Sequence, residues 1–403
     1  MLGSLHEADG NAGEGSTAHS GHAVPQHLLP DQAGSGQPLA FEPGDDDGWH
    51  RLARGYRLAG LLLTAHRMGL LRALADGGAR TVDQLAQELL ADTRLLAVIC
   101  RALRAAGLLL ADGDRWKLSP AGQRLATDAG ATLELDAMAE DYERWGQLDH
   151  YARTLPAQDD LEPRTYDEDV AHSEQAARRY ASRLTHRRRQ QVDRLLARVE
   201  PTRPLVLLDA WGGDGYLARA VCARWEQVTC TVLEIPTMAR ITREACAGYP
   251  RIAVITGDLL RDDPSTVLGG HTVDVVVVSH VLQSLSARRR RELATQVTRV
   301  LAPGGCVVSS EYVLRWNDRD SLDVLLWAVG RTSANWQGDP LQAAEQDMLL
   351  RGSGLAAVGA WWVTETTRAV LGVNTAAGIK PALRMLPPPT DPTPPPRSAP
   401  DTV

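Results

Sequence analysis

The feature that most constrains this chain lies in its second half. From Pro204 onward, five short runs rich in β-branched and aliphatic residues recur: "LVLLDA" (205–210), "VTCTVLE" (228–234), "IAVITGD" (252–258), "VDVVVVS" (273–279) and "GGCVVSSEYV" (304–313). Helix-length stretches separate them. Parallel strands need a crossover of about a dozen residues or more between them, usually a helix. The alternation therefore predicts an α/β fold, a Rossmann-like, doubly wound, mainly parallel sheet with helices on both faces. In such sheets ligands bind at the carboxyl ends of the strands.

The segment before it reads differently. From Trp49 to Gly69, Leu52, Tyr56, Leu58, Leu62 and Leu63 fall close to a helical repeat. Thr81 followed by Gln84 forms a capping box. Asp92 caps an amphipathic run that reaches Gly107, and "LLLADGDRWKLSP" places two short apolar runs around an Asp-Gly turn. Helix, helix, helix, hairpin is the order of a winged helix, expected over 46–130. The third helix, Thr93 to Ala106, offers only Arg94, Arg101 and Arg104, while Leu95, Leu96, Val98 and Ile99 suggest extensive burial. Dimerisation is therefore favoured over DNA reading. Residues 131–200 read as a helical connector, with Tyr142 and Trp145 placed to line a pocket for a flat aromatic substrate. The sheet domain is expected over 201–378.

Composition narrows the function. Residues 1–45 and the proline-dominated 379–403 hold too few aliphatics to offset their ordering entropy, and both are read as disordered tails. The net charge of -7 disfavours nucleic acid as a partner. Basic runs from Arg183 and Ala287 carry aliphatics at helical spacing and read as solvated helix faces. No basic-then-apolar leader and no long apolar window is present, so no membrane partner and a cytoplasmic location are expected. The 5 cysteines lack a Cys-x-x-Cys pair; they read as reduced and structural, with no metal site.

Chemistry concentrates at the strand tips. Asp209 closes the first strand, the loop "WGGDG" follows, and Glu234 and Asp258 close the next two strands. An acid at the second tip is placed to bond ribose hydroxyls, and glycines let backbone approach a cofactor. With "LLDAWGGDGYLA", "LEIPTM", "ITGDLL", "VDVVVVSHVLQSLS" and "LAPGGCVVSSEYVL" in this order, the chain resembles the S-adenosylmethionine (SAM)-dependent O-methyltransferases of plant phenolic and bacterial polyketide pathways over roughly residues 49–375. The resemblance implies a methyltransferase fold, a winged-helix homodimer, and a cofactor site at Asp209, Gly213, Gly215, Glu234 and Asp258.

It also marks two departures. Trp211 stands where the family's loop has its first glycine, so the cofactor site is expected to be vestigial, blocked by the indole. Gln283 stands where the family has its histidine base, and an amide cannot take up a proton near neutral pH. Glu311 matches the first of two carboxylates that orient that histidine; at the second, Pro340 takes the place, beside Asp339. These departures lead to Glu311 as general acid/base, with Gln283 as an orienting donor and His280, three residues earlier, as the rival base. Trp327, Asn335 and Trp336 complete the expected substrate surface. The favoured expectation is a tailoring enzyme of aromatic polyketide-type metabolites that requires no cofactor and uses acid/base catalysis for another reaction, first C–N coupling of an amine or hydrazine, with cyclisation or hydroxylation also open. The alternative is SAM-dependent O-methylation of a phenolic polyketide. A noncatalytic DNA-binding regulator is the weakest of the three readings, given the acidic balance.

Overall fold

Helix α1 (Gly48–Arg67) opens the described part of the chain, a computed structural model that describes residues 48–154, 173–315, 322–334, 338–375 and 378–388. These residues all fall within one compact unit, 38–392. After α1 come α2 (Leu70–Ala73), β1 (Arg80–Thr81), α3 (Val82–Leu89), α4 (Thr93–Ala105), the hairpin β2 (Leu109–Asp112) and β3 (Arg115–Leu118), and α5 (Pro120–Thr127). The expected caps form. Thr81 and Gln84 exchange both bonds of the capping box, and Asp92 accepts from the Leu95 amide at 2.7 Å. Leu63, Leu70, Leu85, Leu96, Leu103 and Trp116 fill the core of this helical part. One expectation needs correction: of the four aliphatics expected to be buried on α4, Leu96 and Ile99 turn inward, whereas Leu95 is 60% and Val98 56% exposed. Positions one residue from the core face point away from it at 3.6 residues per turn.

The connector comprises α6 (Ala129–Trp145), α7 (Leu148–Thr154) and α8 (Glu174–Leu196). Beyond it lie β4 (Val199–Pro201), β5 (Leu205–Ala210), α9 (Tyr216–Arg224), β6 (Val228–Glu234), α10 (Pro236–Cys246), β7 (Ile252–Thr256), α11 (Pro264–Val267) and β8 (Val273–Ser279). They are followed by α12 (Ala287–Arg299), β9 (Leu301–Leu314), α13 (Leu322–Ser333), β10 (Leu341–Gln342), α14 (Ala343–Gly352), β11 (Ala356–Trp362), β12 (Thr367–Val373) and β13 (Leu383–Met385).

Strand order in the main sheet is β11-β12-β9-β8-β5-β6-β7, with β10 paired to β9. From β9 to β7 every pairing is parallel; β12 runs antiparallel to both β9 and β11. Strand β5 is central, registered against β6 through Asp209↔Val232 and against β8 through Asp209↔Val277. The order reverses at β5, so the crevice beyond its tip is where this architecture takes ligands. Two apolar cores cover the two faces: Leu205, Leu207, Val275 and Val308 on one, Leu208, Val276, Leu293 and Val307 on the other. Each strand contributes alternately to the two cores, as period-2 geometry requires.

The carboxyl-terminal boundary also differs from the expectation of a tail from 379. Leu383, Arg384 and Met385 pair antiparallel with Pro201, Glu200 and Val199. Ala382 and Leu383 are buried in the first of the two sheet cores, so this short strand is part of the fold.

Candidate active site

The loop after β5 is built by backbone conformation. Trp211, Gly213 and Gly215 all take left-handed φ values of 55, 64 and 73°. Glycine adopts this region freely, whereas an L side chain costs about 1–2 kcal/mol there. Trp211 therefore keeps the backbone path that a glycine would take. Its N–H donates to the Leu233 carbonyl at 2.9 Å, extending the β5–β6 ladder by one residue. Its partly buried indole packs against the core cluster that includes Ala210, Leu233, Leu259 and Leu282.

Acids ring this loop. Glu234, completely buried at the β6 tip, accepts from Gly213 N–H at 2.8 Å through Oε1 and from Ile235 N–H at 3.0 Å through Oε2. Thr242 on α10 donates its hydroxyl to the Gly213 carbonyl. Asp214 pairs with Arg219 at 2.8 Å. Asp258, beyond the β7 tip, accepts from Leu260 N–H at 2.8 Å and lies 3.4 Å from Arg261. Asp209 is buried at the end of β5 beside Gly212, where an added Cβ would run into its carboxylate. Asp209, Glu234 and Asp258 thus mark three adjoining strand tips around a loop of nearly bare backbone.

A second constellation forms at the tips of β8 and β9. The chain after Ser279 turns sharply: His280 has φ 58°, and Leu282–Ser284 form one turn of 3₁₀-helix. Glu311 holds this turn from below. Its Oε1 accepts from the amides of Val281 at 3.2 Å and Leu282 at 3.1 Å, and its Oε2 from Gln283 at 3.4 Å. Arg290 on α12 holds it from the other side, donating Nε–H to the carbonyls of Leu282 and Leu285 at 2.9 and 3.0 Å. Arg290 also pairs with Glu345 at 2.6 Å and donates to the Asp339 carbonyl. Gly338 packs on the Gln283 and Ser284 backbone, where a Cβ would collide.

Several expectations change here. Glu311 has no exposed surface and is committed to the turn, so it does not face a pocket as a substrate acid would. Burial pushes its carboxyl up to about 8 against the downward pull of three amides and Arg290. Gln283 is an acceptor rather than an orienting donor. Its Oε1 takes the Tyr312 amide proton at 2.7 Å and lies 3.3 Å from His280 Nδ1. The carboxyl of Asp339 belongs to an exposed residue, and only its main-chain oxygen serves the turn. Arg290 was hidden in a run read as a solvated face. Its spacing of three and seven residues from the buried Leu293 and Val297 was the available signal.

Aromatic side chains extend the site away from β9. His280 meets Tyr312 edge-to-face at 4.7 Å, Tyr312 meets Trp327 at 5.3 Å, and the Arg331 guanidinium lies 5.1 Å from the Trp327 ring. Trp145 reaches the same helix, α13, beside Gly330. Tyr142 does not join this row; its hydroxyl donates to the Tyr56 carbonyl on α1 at 3.2 Å. Asn335 and Trp336 lie outside the described residues. Among the described residues no group of three or more His, Cys, Asp or Glu is placed to hold a metal, and no helix is long and apolar enough to cross a membrane.

A central parallel sheet, a left-handed glycine loop after its middle strand and acids on the neighbouring tips are the features of a methyltransferase fold. Residues 164–356 match the model of the O-methyltransferase domain. Among curated proteins it is 28% identical over 270 residues to the N,N-dimethyltransferase OxyT of Streptomyces rimosus, covering 64% of this chain and 76% of the relative. The structure of human N-acetylserotonin methyltransferase in complex with SAM superposes with a TM-score of 0.69 at 18% identity, covering 83% of this chain and 100% of that one. The mitomycin 7-O-methyltransferase MmcR superposes at 0.68 with 19% identity, over 81% and 97% of the two chains.

These likenesses overturn the expectation that no cofactor is required. The human enzyme of the same fold is seen with SAM bound, and the family match spans the strand-tip acids. The physical reason the inference from Trp211 failed is that the indole packs on the core while the loop keeps its left-handed path. The residues present fit the cofactor: a left-handed loop beyond the central strand, and carboxylates at three adjoining strand tips to meet hydroxyl and ammonium donors.

Proposed function

We propose that the chain is a SAM-dependent methyltransferase acting on a hydroxyl of an aromatic polyketide-type small molecule, and that it works as a homodimer. The observation that carries this reading is the loop 209–215, whose left-handed backbone persists at Trp211 and is tied by Gly213 N–H to the buried Glu234. In this reading Glu234 receives ribose hydroxyls, the backbone around Gly213 and Gly215 receives the amino-acid end, and Asp258 lies toward the base. The cofactor, when bound, supplies an electrophilic methyl group. The protein's own contribution is largely positioning, for which a well-oriented pair of reactants can supply several kcal/mol, about 7 or more in favourable cases. Tyr312, Trp327 and Trp145 offer flat apolar surface that suits a polycyclic ring system. MmcR, a methyltransferase of a natural product, supports the substrate class.

Transfer to an amine nitrogen is the second reading, favoured by the likeness to an N,N-dimethyltransferase. A neutral amine attacks through its lone pair and needs no base beforehand. Incubation with SAM and matched polycyclic phenols and aminated counterparts, followed by mass spectrometry, separates the two. A product one methylene heavier only from the phenols supports O-transfer, and only from the amines supports N-transfer. Absence of methylated product from both sets, with SAM bound, would contradict the substrate class.

A further inference from the structure

We propose that Cys222 and Cys230 form a redox pair, which a small hydroperoxide oxidises to a disulfide between α9 and β6. The inference is independent of the proposed methyl transfer.

All five cysteines are buried and carry free thiols. Among them, this pair brings two sulfurs together. Cys222 lies on the last turn of α9 and Cys230 near the start of β6, 8 residues on in sequence and 3.6 Å apart at sulfur. That is contact distance for two thiols. A disulfide needs about 2.0 Å, so each sulfur has to travel less than about 1 Å. The helix begins at the glycine loop and the strand ends in Glu234, so the bond would join two elements that both lead to the cofactor loop.

The surroundings distinguish the two sulfurs. Arg251 clamps the connection from α9 to β6, donating to the carbonyls of Cys222, Trp225, Glu226 and Val228 at 2.5 to 3.0 Å. It thereby fixes the backbone on both sides of the pair and sets a positive charge beside Cys222. The contact with Cys230, opposed by burial and aided by the Arg251 charge, lowers the Cys222 thiol, while the Cys230 thiol is raised. Cys100, Cys246 and Cys306 are all raised, by burial first. Because the thiolate is the nucleophile, Cys222 is the sulfur that reacts first. It lies directly under a short connection whose Ala223, Arg224, Glu226 and Gln227 are exposed. Local opening of such a segment admits a small oxidant.

The chemistry takes two steps. The Cys222 thiolate attacks one peroxide oxygen, the O–O bond breaks, and the other oxygen leaves with the bonding pair and is protonated to water. Cys222 is then a sulfenic acid. Cys230 gives up its S–H proton and its sulfur attacks the Cys222 sulfur; the S–S bond forms, the S–O bond breaks, and the hydroxide takes the proton and leaves as a second water. Two thiols lose two electrons in all, and one hydrogen peroxide is reduced to two waters.

The test uses the full folded chain and hydrogen peroxide. After oxidation the remaining thiols are blocked with iodoacetamide in denaturant, and the chain is digested with trypsin without reductant. Cleavage after Arg219, Arg224 and Arg240 puts the two cysteines on separate peptides, 220–224 and 225–240. The expected result is these peptides joined, at their summed mass less two hydrogens, and parted by dithiothreitol. In Cys230→Ser, Cys222 should stop at the sulfenic acid and be captured by dimedone, whereas in Cys222→Ser dimedone should leave Cys230 unlabelled. Recovery of both wild-type peptides unlinked would overturn the pair. Dimedone on Cys230 in Cys222→Ser, with none on Cys222 in Cys230→Ser, would overturn the assignment of Cys222 as the sulfur that reacts first.

Discussion

Gln283 shows how a single residue misleads when only its type is read. An amide in place of an imidazole looks like a lost base, but its carbonyl oxygen, fixed by the Tyr312 amide, orients the neighbouring His280. Glu311 misleads in the opposite direction, since a raised carboxyl in a cleft suggests catalysis, while its oxygens are spent on amides 281–283. The shift has a consequence for stability. A folded-state value of about 8 against the ordinary 4.5 means that the folded protein binds this proton more tightly. Its stabilising contribution is full below the ordinary value and disappears as pH rises through about 8. Urea midpoints should therefore fall from about pH 5 to 8 in the wild type, and Glu311→Gln, which cannot ionise, should show a shallower fall. Parallel curves for the two proteins would show that Glu311 is not the group concerned.

At the scale of elements, the turn between β8 and α12 is clamped from both sides, its amides by Glu311 and its carbonyls by Arg290. Breaking a buried charge pair by removing one partner costs about 3–5 kcal/mol. Arg290→Met should lower stability by about that amount in urea titration, whereas Arg288→Met, on the exposed side of the same helix, should change it by less than about 0.5 kcal/mol. Equal effects would place Arg290 outside the structural role given to it. The five parallel strands were legible in the sequence because strands buried on both faces read as continuous apolar runs. The caps at Thr81 and Asp92 were legible because one side chain makes each of them. The pairing of β4 with β13 was not, because three-residue strands from opposite ends of the sheet domain meet only through tertiary packing. Arg290 was obscured by the arginines around it, and the left-handed backbone of His280 has no signature in a residue type that adopts many conformations.

On the scale of the whole molecule, exposed Tyr56 and Leu58 on α1 and Leu95 and Val98 on α4 leave apolar side chains in solvent, and a second copy of the chain is the proposed cover. Light scattering should give a dimer at micromolar concentration, and Leu58→Glu combined with Val98→Glu should give a folded monomer. A wild-type monomer would remove the proposal. Fold, family and strand-tip acids together make cofactor binding the central claim, and calorimetry of the full chain with SAM tests it most directly. Binding in the micromolar range is expected for the wild type, retained in Trp211→Gly and weakened by about tenfold or more in Glu234→Ala, which removes charge-assisted hydrogen bonds. No heat of binding from the wild type, with binding appearing only in Trp211→Gly, would contradict it.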